Sequence, residues 1–313
     1  MADSSSPRQI LVTGASGLVG SALVPLLETS GHRVIKLVRT STSTSLAAAT
    51  WNPAAGQIDL GSAGDIDAVI HLAGETIAQR WSSEAKRRIR DSRVEGTRLL
   101  SEALAKMPAP PKVLICASAT GFYGDRGEEW LDEKSTSGRG FLPEVCQEWE
   151  SAANPARARG IRVVHLRLGI VLTPKGGALA RMLPPFRSGI GGRLGDGRSY
   201  WSWIALDDLL EAIQRALADA SLQGPVNVVS PNPVTNAEFT KTLGRVLNRP
   251  RILPVPRFAV ELLFGEMGRE AILSSFRVKP TKLIESGFRF RFPDLESALR
   301  HLLGGMGREQ KPS

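Results

Sequence analysis

The sequence predicts an α/β fold: a doubly wound, mostly parallel sheet covered by helices on both faces, with a smaller C-terminal substrate lobe. Three observations carry this prediction. Short apolar runs alternate with longer amphipathic stretches through the first half of the chain. A glycine-rich turn joins the first run to the first helix. After about Gly169, proline and glycine cut the chain into short pieces.

Residues 10–12 (Ile-Leu-Val) are a continuous apolar run, the mark of a strand buried on both faces. Residues 18–30 follow as a helix ended by Gly31, and residues 34–38 and 68–72 read as further strands. Residues 82–106 repeat apolar side chains at helical spacing (Ile89, Leu99, Leu100, Ala103, Leu104) and stop before Pro108. Strand 113–117, helix 142–154 and strand 163–166 complete the alternation, and 226–229 is expected to rejoin the sheet. Gly, Pro and Arg accumulate between Pro174 and Arg198, and six further prolines from Pro225 to Pro256 interrupt the C-terminal third. The expected organisation is a flexible arm over 1–8, a nucleotide-binding domain over 9–230 containing part of the substrate lobe (170–205), a C-terminal lobe over 231–304, and a flexible tail over 305–313. The Ser/Thr run at 40–45 reads as mobile surface.

The 313 residues include 40 Lys and Arg against 31 Asp and Glu, a net charge of +9. That balance is compatible with a phosphate-bearing partner without identifying one. Cys116 and Cys146 stand alone, with no CxxC and no Cys/His ligand spacing, which argues against a disulfide framework and predicts no metal centre. The polar N-terminus has no apolar leader run, and no stretch approaches the ~18 apolar residues of a membrane span, so the chain is expected to be soluble and cytoplasmic. Lys86, Arg87, Arg88, Arg90, Arg93 and Arg98 cluster on one helical segment, but Glu84, Asp91 and Glu95 intersperse with them. This predicts a solvated helix or a pairing face rather than a nucleic-acid track.

The most specific feature is Thr13-Gly14-Ala15-Ser16-Gly17-Leu18-Val19-Gly20, which follows the first strand and opens the first helix. Gly14 permits the tight turn, Gly17 lets backbone approach a pyrophosphate, and Gly20 lets helix pack closely on strand. The helix N-terminus then offers unpaired N–H groups to the anion. Arg39 ends the second strand, where an NAD enzyme usually carries an acidic residue on the ribose 2′-hydroxyl. A guanidinium suits a 2′-phosphate instead, so the sheet is expected to be of Rossmann type and the cofactor NADP(H).

With these residues in view, the chain resembles the extended short-chain dehydrogenase/reductases of the NAD-dependent epimerase/dehydratase class. The resemblance covers about residues 8–230 and rests on the glycine turn, on His71-Leu72-Ala73-Gly74, on Ser118 to Gly124, on Leu166-Arg167, and on Gly195-Asp196-Gly197 leading to Asp207-Asp208. Gly74-Glu75, Arg80-Trp81, Ser92-Arg93, Trp149-Glu150, Gly176-Gly177, Asn232-Pro233 and Gly265-Glu266-Met267 are similar to one "epimerase family" branch, some of whose members are labelled cell-division-inhibitor-like. The resemblance implies that Gly14, Ser16, Gly17, Leu18, Val19 and Gly20 surround the pyrophosphate, that Arg39 meets the 2′-phosphate, and that Leu72, Ala73 and Gly74 run along the ribose and diphosphate.

The class also implies a catalytic Ser with a Tyr-x-x-x-Lys pair, and here the pattern fails. Tyr123 is followed four residues later by Gly127 and Tyr200 by Ile204; aligned on Glu150, the Tyr and Lys positions are Leu142 and Cys146. Two readings are open. In the first, the protein is an NADP(H)-binding, epimerase/dehydratase-like oxidoreductase acting on a small substrate with another proton carrier, the candidates being Glu75, Tyr123 and Ser118 (or Thr120). In the second, it is a catalytically silent NADP(H) sensor or scaffold. The Arg that grips a sugar diphosphate in nucleotide-sugar relatives is Trp201 here, so Phe186, Trp201 and Trp203 are expected to line a more apolar pocket or, equally, to pack between the lobes. Relatives pair through the helices matching 82–106 and 142–154, which leaves monomer and homodimer open; Pro155 shortens the second of these helices.

Overall fold

The computed structural model describes residues 7–39, 49–61, 63–250 and 253–304. β1 (Gln9–Thr13) leads to α1 (Gly20–Thr29), β2 (Arg33–Arg39), β3 (Ala49–Asn52), β4 (Gln57–Asp59), β5 (Ala68–His71), α2 (Ser83–Ala105) and β6 (Val113–Ala119). A 3-10 turn (Thr120–Tyr123) precedes β7 (Trp130–Leu131), α3 (Phe141–Ser151), α4 (Asn154–Ala158), β8 (Arg162–Leu168), β9 (Ile170–Leu172) and α5 (Gly177–Arg187). Next come β10 (Tyr200–Trp201), β11 (Trp203–Ala205), α6 (Leu206–Ala218), β12 (Gly224–Val228), β13 (Val234–Thr235) and α7 (Asn236–Val246). The chain closes with α8 (Arg257–Met267), a π turn (Gly268–Ile272), β14 (Arg277–Val278), α9 (Thr281–Glu285) and α10 (Leu295–Gly304). Residues 1–6 of the arm expected over 1–8, the 40–45 run and the tail over 305–313 lie outside the described residues, whereas Arg8 is tied to the fold through Nη1 to Leu217 O at 2.8 Å.

Eight strands form one sheet in the order β12-β8-β6-β5-β1-β2-β3-β4, parallel except where β4 runs back against β3. Strand order reverses between β1 and β5, the switch point where α/β sheets hold their ligands at the carboxyl ends of the strands. Side chains alternate across the sheet. Ile10, Val12 and Ile70 pack under α1 and α6 with Leu23, Leu27, Leu209 and Ile213, while Leu11, Val69 and Leu114 pack under α2 and α4 with Leu100, Leu104 and Ala156.

Three features differ from expectation. The helix expected over 142–154 is two: α3 ends at Ser151, and α4 restarts at Asn154 with Pro155 in its first turn, where the missing N–H does no harm. β3 and β4 extend the sheet beyond the second strand, and β3 brings Trp51 edge-on to His71 with centroids 5.8 Å apart. Phe186, Trp201 and Trp203, expected as pocket lining, are buried in a core that joins α5, α7 and α10. Trp201 packs 5.2 Å from Phe239, and the Trp203 indole donates to the Asn232 carbonyl at 3.1 Å. Their aromatic area holds the C-terminal elements together instead of facing a ligand.

Candidate active site

The glycine turn is pressed onto the end of β5. Gly14 has φ +67°, and a Cβ there would stand 2.7 Å from the Leu72 carbonyl carbon and 2.8 Å from the Ala73 nitrogen. A Cβ on Gly20 would stand 2.2 Å from the Gly14 carbonyl oxygen, so strand and helix meet at a distance that only glycine allows. The Gly17 N–H donates to Gly14 O at 2.9 Å and closes the turn. Ser16 and Gly17 are exposed at the start of α1, with Leu18 and Val19 half-buried behind them. A cavity of about 370 Å³ lies over this end, lined by Ser16, Gly17, Leu18, Lys175, Gly176 and Leu206. Backbone N–H groups, a helix N-terminus and a basic side chain converge there, which fits a pyrophosphate. Lys175 goes unmarked by any motif of the sequence, and Gly176 is marked only within the Gly176-Gly177 pair of the resemblance, with no contact to the glycine turn foreseen for either. Their signal is the close approach of the loop, since a Cβ on Gly176 would stand 2.7 Å from Leu18 Cδ1. Arg39 is exposed at the end of β2, on the side of β1 away from β5.

A buried histidine fixes the end of β5. Thr13 Oγ1 accepts from Leu72 N (3.1 Å) and Ala73 N (3.2 Å), so its one proton goes to His71 Nδ1 at 2.7 Å. Nε2 therefore carries the ring proton and donates to Thr97 Oγ1 at 3.0 Å, which also accepts from the Trp149 indole at 2.9 Å. Burial pushes the His71 imidazole down to about 4, so the ring is neutral near pH 7. The ladder ties β1 and β5 to α2 and α3. Beyond it, the backbone of Leu72 and Ala73 runs against Gly14 of the glycine turn, and Gly74 follows. Glu75 comes next, its N–H donating to Ser92 Oγ at 3.0 Å, its carbonyl receiving Arg93 Nη1 at 2.9 Å, and its Oε1 receiving Gln79 Nε2 at 3.4 Å.

On the β6 side, the hydroxyls of Ser118 and Tyr123 belong to a buried network, while Thr120, the alternative to Ser118, is buried outside it. Ser118 Oγ donates to Glu150 Oε1 at 2.8 Å, and Arg167 holds both oxygens of Glu150 through Nε and Nη2, each at 2.8 Å. Arg167 Nη1 donates to the Tyr123 hydroxyl at 3.0 Å, and that hydroxyl donates to Asn227 Oδ1 at 2.7 Å. The guanidinium also lies 3.5 Å over the Phe122 ring. Tyr123 is 0% exposed, and burial pushes its hydroxyl up to about 12 despite the adjoining guanidinium. In this arrangement both partners of the hydroxyl are satisfied inside the protein, so Tyr123 is a brace rather than a proton carrier. The same correction applies to Ser118, which is 2% exposed and committed to Glu150. Burial raises the Glu150 carboxyl, but the hydrogen bonds and charge of Arg167 outweigh it and hold it below its ordinary value.

The two positions aligned with the Tyr and Lys of the class are inert. Leu142 packs beside Trp81, Ile89 and Met267, and burial pushes the Cys146 thiol up to about 12. Along α2 the basic side chains are mostly ion-paired: Lys86 with Glu266 at 2.8 Å, Arg87 with Glu84 at 2.8 Å, Arg90 with Glu148 at 2.7 Å and Arg98 with Glu95 at 3.2 Å. Among the described residues no helix is long and apolar enough to cross a membrane.

Residues 10–229 match the model of the NAD dependent epimerase/dehydratase family, and residues 255–302 match DUF1731, a domain of unknown function. The chain is 45% identical over 291 residues to an epimerase family protein of Mycobacterium bovis, covering 93% of this chain and 96% of that one. It superposes at a TM-score of 0.84 and 32% identity on the crystal structure of human epimerase family protein SDR39U1 (isoform 2) with NADPH, covering 95% and 99% of the two chains. A nucleoside-diphosphate sugar epimerase from Corynebacterium glutamicum gives a TM-score of 0.79 at 39% identity, over 96% of this chain but 59% of that one. A parallel sheet with a glycine turn at its switch point, a family match across most of its length and these relatives together make the chain a member of the NAD-dependent epimerase/dehydratase family, with an NAD(P)-binding oxidoreductase fold.

Proposed function

We propose that the protein binds NADP(H) and performs epimerase- or dehydratase-like oxidoreduction on a small substrate without the Tyr-x-x-x-Lys pair. The observation that carries this reading is the glycine turn, where Gly14 and Gly20 leave no room for a Cβ and Ser16 and Gly17 stand exposed at the start of α1. The backbone of Ser16, Gly17, Leu18 and Val19 would hold the pyrophosphate, with Lys175 beside it. Arg39, at the end of β2, would take the 2′-phosphate through charge-assisted hydrogen bonds. Leu72, Ala73 and Gly74 would carry the cofactor towards the substrate. The NADPH in the human relative supports the phosphorylated form.

Bound NADP(H) supplies or accepts the hydride. The chain must move the accompanying proton, and with Ser118 and Tyr123 engaged in the network, Glu75 is the candidate at the end of β5. Both cysteines are free thiols, which suits a reducing cytoplasm. Arg39→Ala is expected to weaken NADPH binding about 10-fold or more while leaving NADH within a factor of two; titration of both cofactors checks this, and equal losses would remove the preference for NADP(H). With NADPH bound, a screen of carbonyl compounds followed at the absorbance of reduced nicotinamide should find turnover that Glu75→Gln abolishes and Tyr123→Phe retains. Tight binding with no turnover across the screen would select the sensor reading.

A further inference from the structure

Arg93 on α2 is held by backbone carbonyls rather than by a carboxylate. Arg93 is partly buried at the carboxyl end of β5, its Nη1 donating to Glu75 O at 2.9 Å and to Ile89 O at 3.0 Å. The guanidinium lies 5.1 Å from the Trp149 ring centroid and beneath Gly74: a Cβ there would stand 3.4 Å from Cζ and 3.6 Å from both Nη atoms. Nη1 is thus spent on holding the group in position. Among the described residues Nε and Nη2 meet no acceptor, although they form the same edge that Arg167 presents to both oxygens of Glu150. The Cys146 thiol and the Glu75 carboxyl are close enough to act on the charge of Arg93, and that thiol is protonated. A fixed guanidinium with two parallel donors unspent is built to bind two neighbouring oxygens.

The sheet topology says which end of a dinucleotide arrives there. The ligand crosses the carboxyl ends of the strands at the β1/β5 switch point, with its pyrophosphate over the glycine turn after β1. Arg39 marks the β2 side as the adenosine half, so the β5 side receives the other half. We infer that Arg93 is a cofactor-binding residue whose Nε and Nη2 donate to the vicinal hydroxyls of the nicotinamide-side ribose, supplying from α2 the cation that α3, with Cys146, does not provide. This inference rests on the NADP(H) reading above.

The test compares two ligands. NADPH spans both halves, whereas adenosine 2′,5′-bisphosphate occupies only the adenosine half. Calorimetric titration of wild type, Arg93→Gln and Arg93→Lys should give NADPH binding at least about 10-fold weaker in Arg93→Gln, with Arg93→Lys intermediate because it keeps the charge but loses the paired edge. Affinity for adenosine 2′,5′-bisphosphate should stay within a factor of two in both variants. Equal losses for the two ligands would mean that Arg93 acts only by shaping the fold, and an unchanged NADPH affinity would mean that it does not touch the cofactor; either overturns the assignment. Arg93→Lys guards against a Gln variant that fails to fold. Failure of wild type to bind either ligand would overturn the cofactor reading itself, a result distinct from the other two.

Discussion

On the β1 side of the switch point the protein presents backbone: a turn at φ +67°, glycines that exclude any Cβ, and Ser16 and Gly17 exposed just before α1. On the β6 side it presents side chains, where Ser118, Glu150, Arg167, Tyr123 and Asn227 hydrogen-bond in series and commit the hydroxyls of Ser118 and Tyr123 to partners within the series. The first region is a mould whose shape survives any change that leaves its glycines alone. The second is a lattice of partners in which removing one member leaves another buried and unpaired. Binding and stability are therefore expected to separate between the two ends of one cleft.

The sharpest way to break that contrast is Glu150→Ala. It strands a guanidinium in the interior, with a side chain 4% exposed, and should destabilise the protein by about 3–5 kcal/mol. Thermal unfolding should shift down by roughly 10 °C, while NADPH affinity of the folded fraction stays within a few-fold. Gly14→Ala should do the reverse. Its Cβ would strike backbone at 2.7 Å, and NADPH binding should weaken about 100-fold, roughly 2.7 kcal/mol, with a smaller change in melting temperature. A large loss of stability with retained binding would erase the distinction.

The gentlest probe is acid. His71 and His165 are pushed by burial from an ordinary 6.5 down to about 4. The unfolded chain thus binds protons that the native one refuses between those values. Stability is complete above pH 6.5 and falls as pH drops towards 4, by about 1.4 kcal/mol per pH unit for each ring. Glu150 adds its own loss further down, as pH falls through its lowered native value. Denaturant melts at pH 7.5, 6 and 5 check the slope; a flat profile across that range would show that the two rings take up protons in the native state as readily as in the unfolded chain.

The contrast also explains what could be read from the sequence. Gly14, Gly17 and Gly20 act within eight residues of chain, and strands 10–12, 34–38 and 68–72 carry their own period, so turn and sheet are legible locally. The network joins positions 17 to 104 residues apart, such as Arg167 with Glu150 and Tyr123 with Asn227, and no spacing rule signals such pairs. Tyr123 stands out in the sequence for its rarity, which says nothing about where its hydroxyl ends up. The indoles of Trp201 and Trp203 likewise suit a pocket or a core equally well, and only the positions of α7 and α10 decide between them. Arg93 is hidden among five basic neighbours on its helix, and the turn of α2 that aims it inward is not visible in composition.

The sheet and the C-terminal segment are joined below the cleft. Asn227 Nδ2 donates to Lys279 O at 2.9 Å, Glu133 Oε1 receives both Asn227 N and Lys282 N, and β14 pairs in parallel with β7. A recombination boundary drawn between the two matched segments, at any residue from 230 to 254, would take the two halves of the Asn227–Lys279 bond, the Glu133–Lys282 bond and the β7/β14 pair from different parents. Chimeras of two relatives would therefore have to exchange 131–133, 227 and 277–282 as a single block, however far apart those stretches lie in the gene.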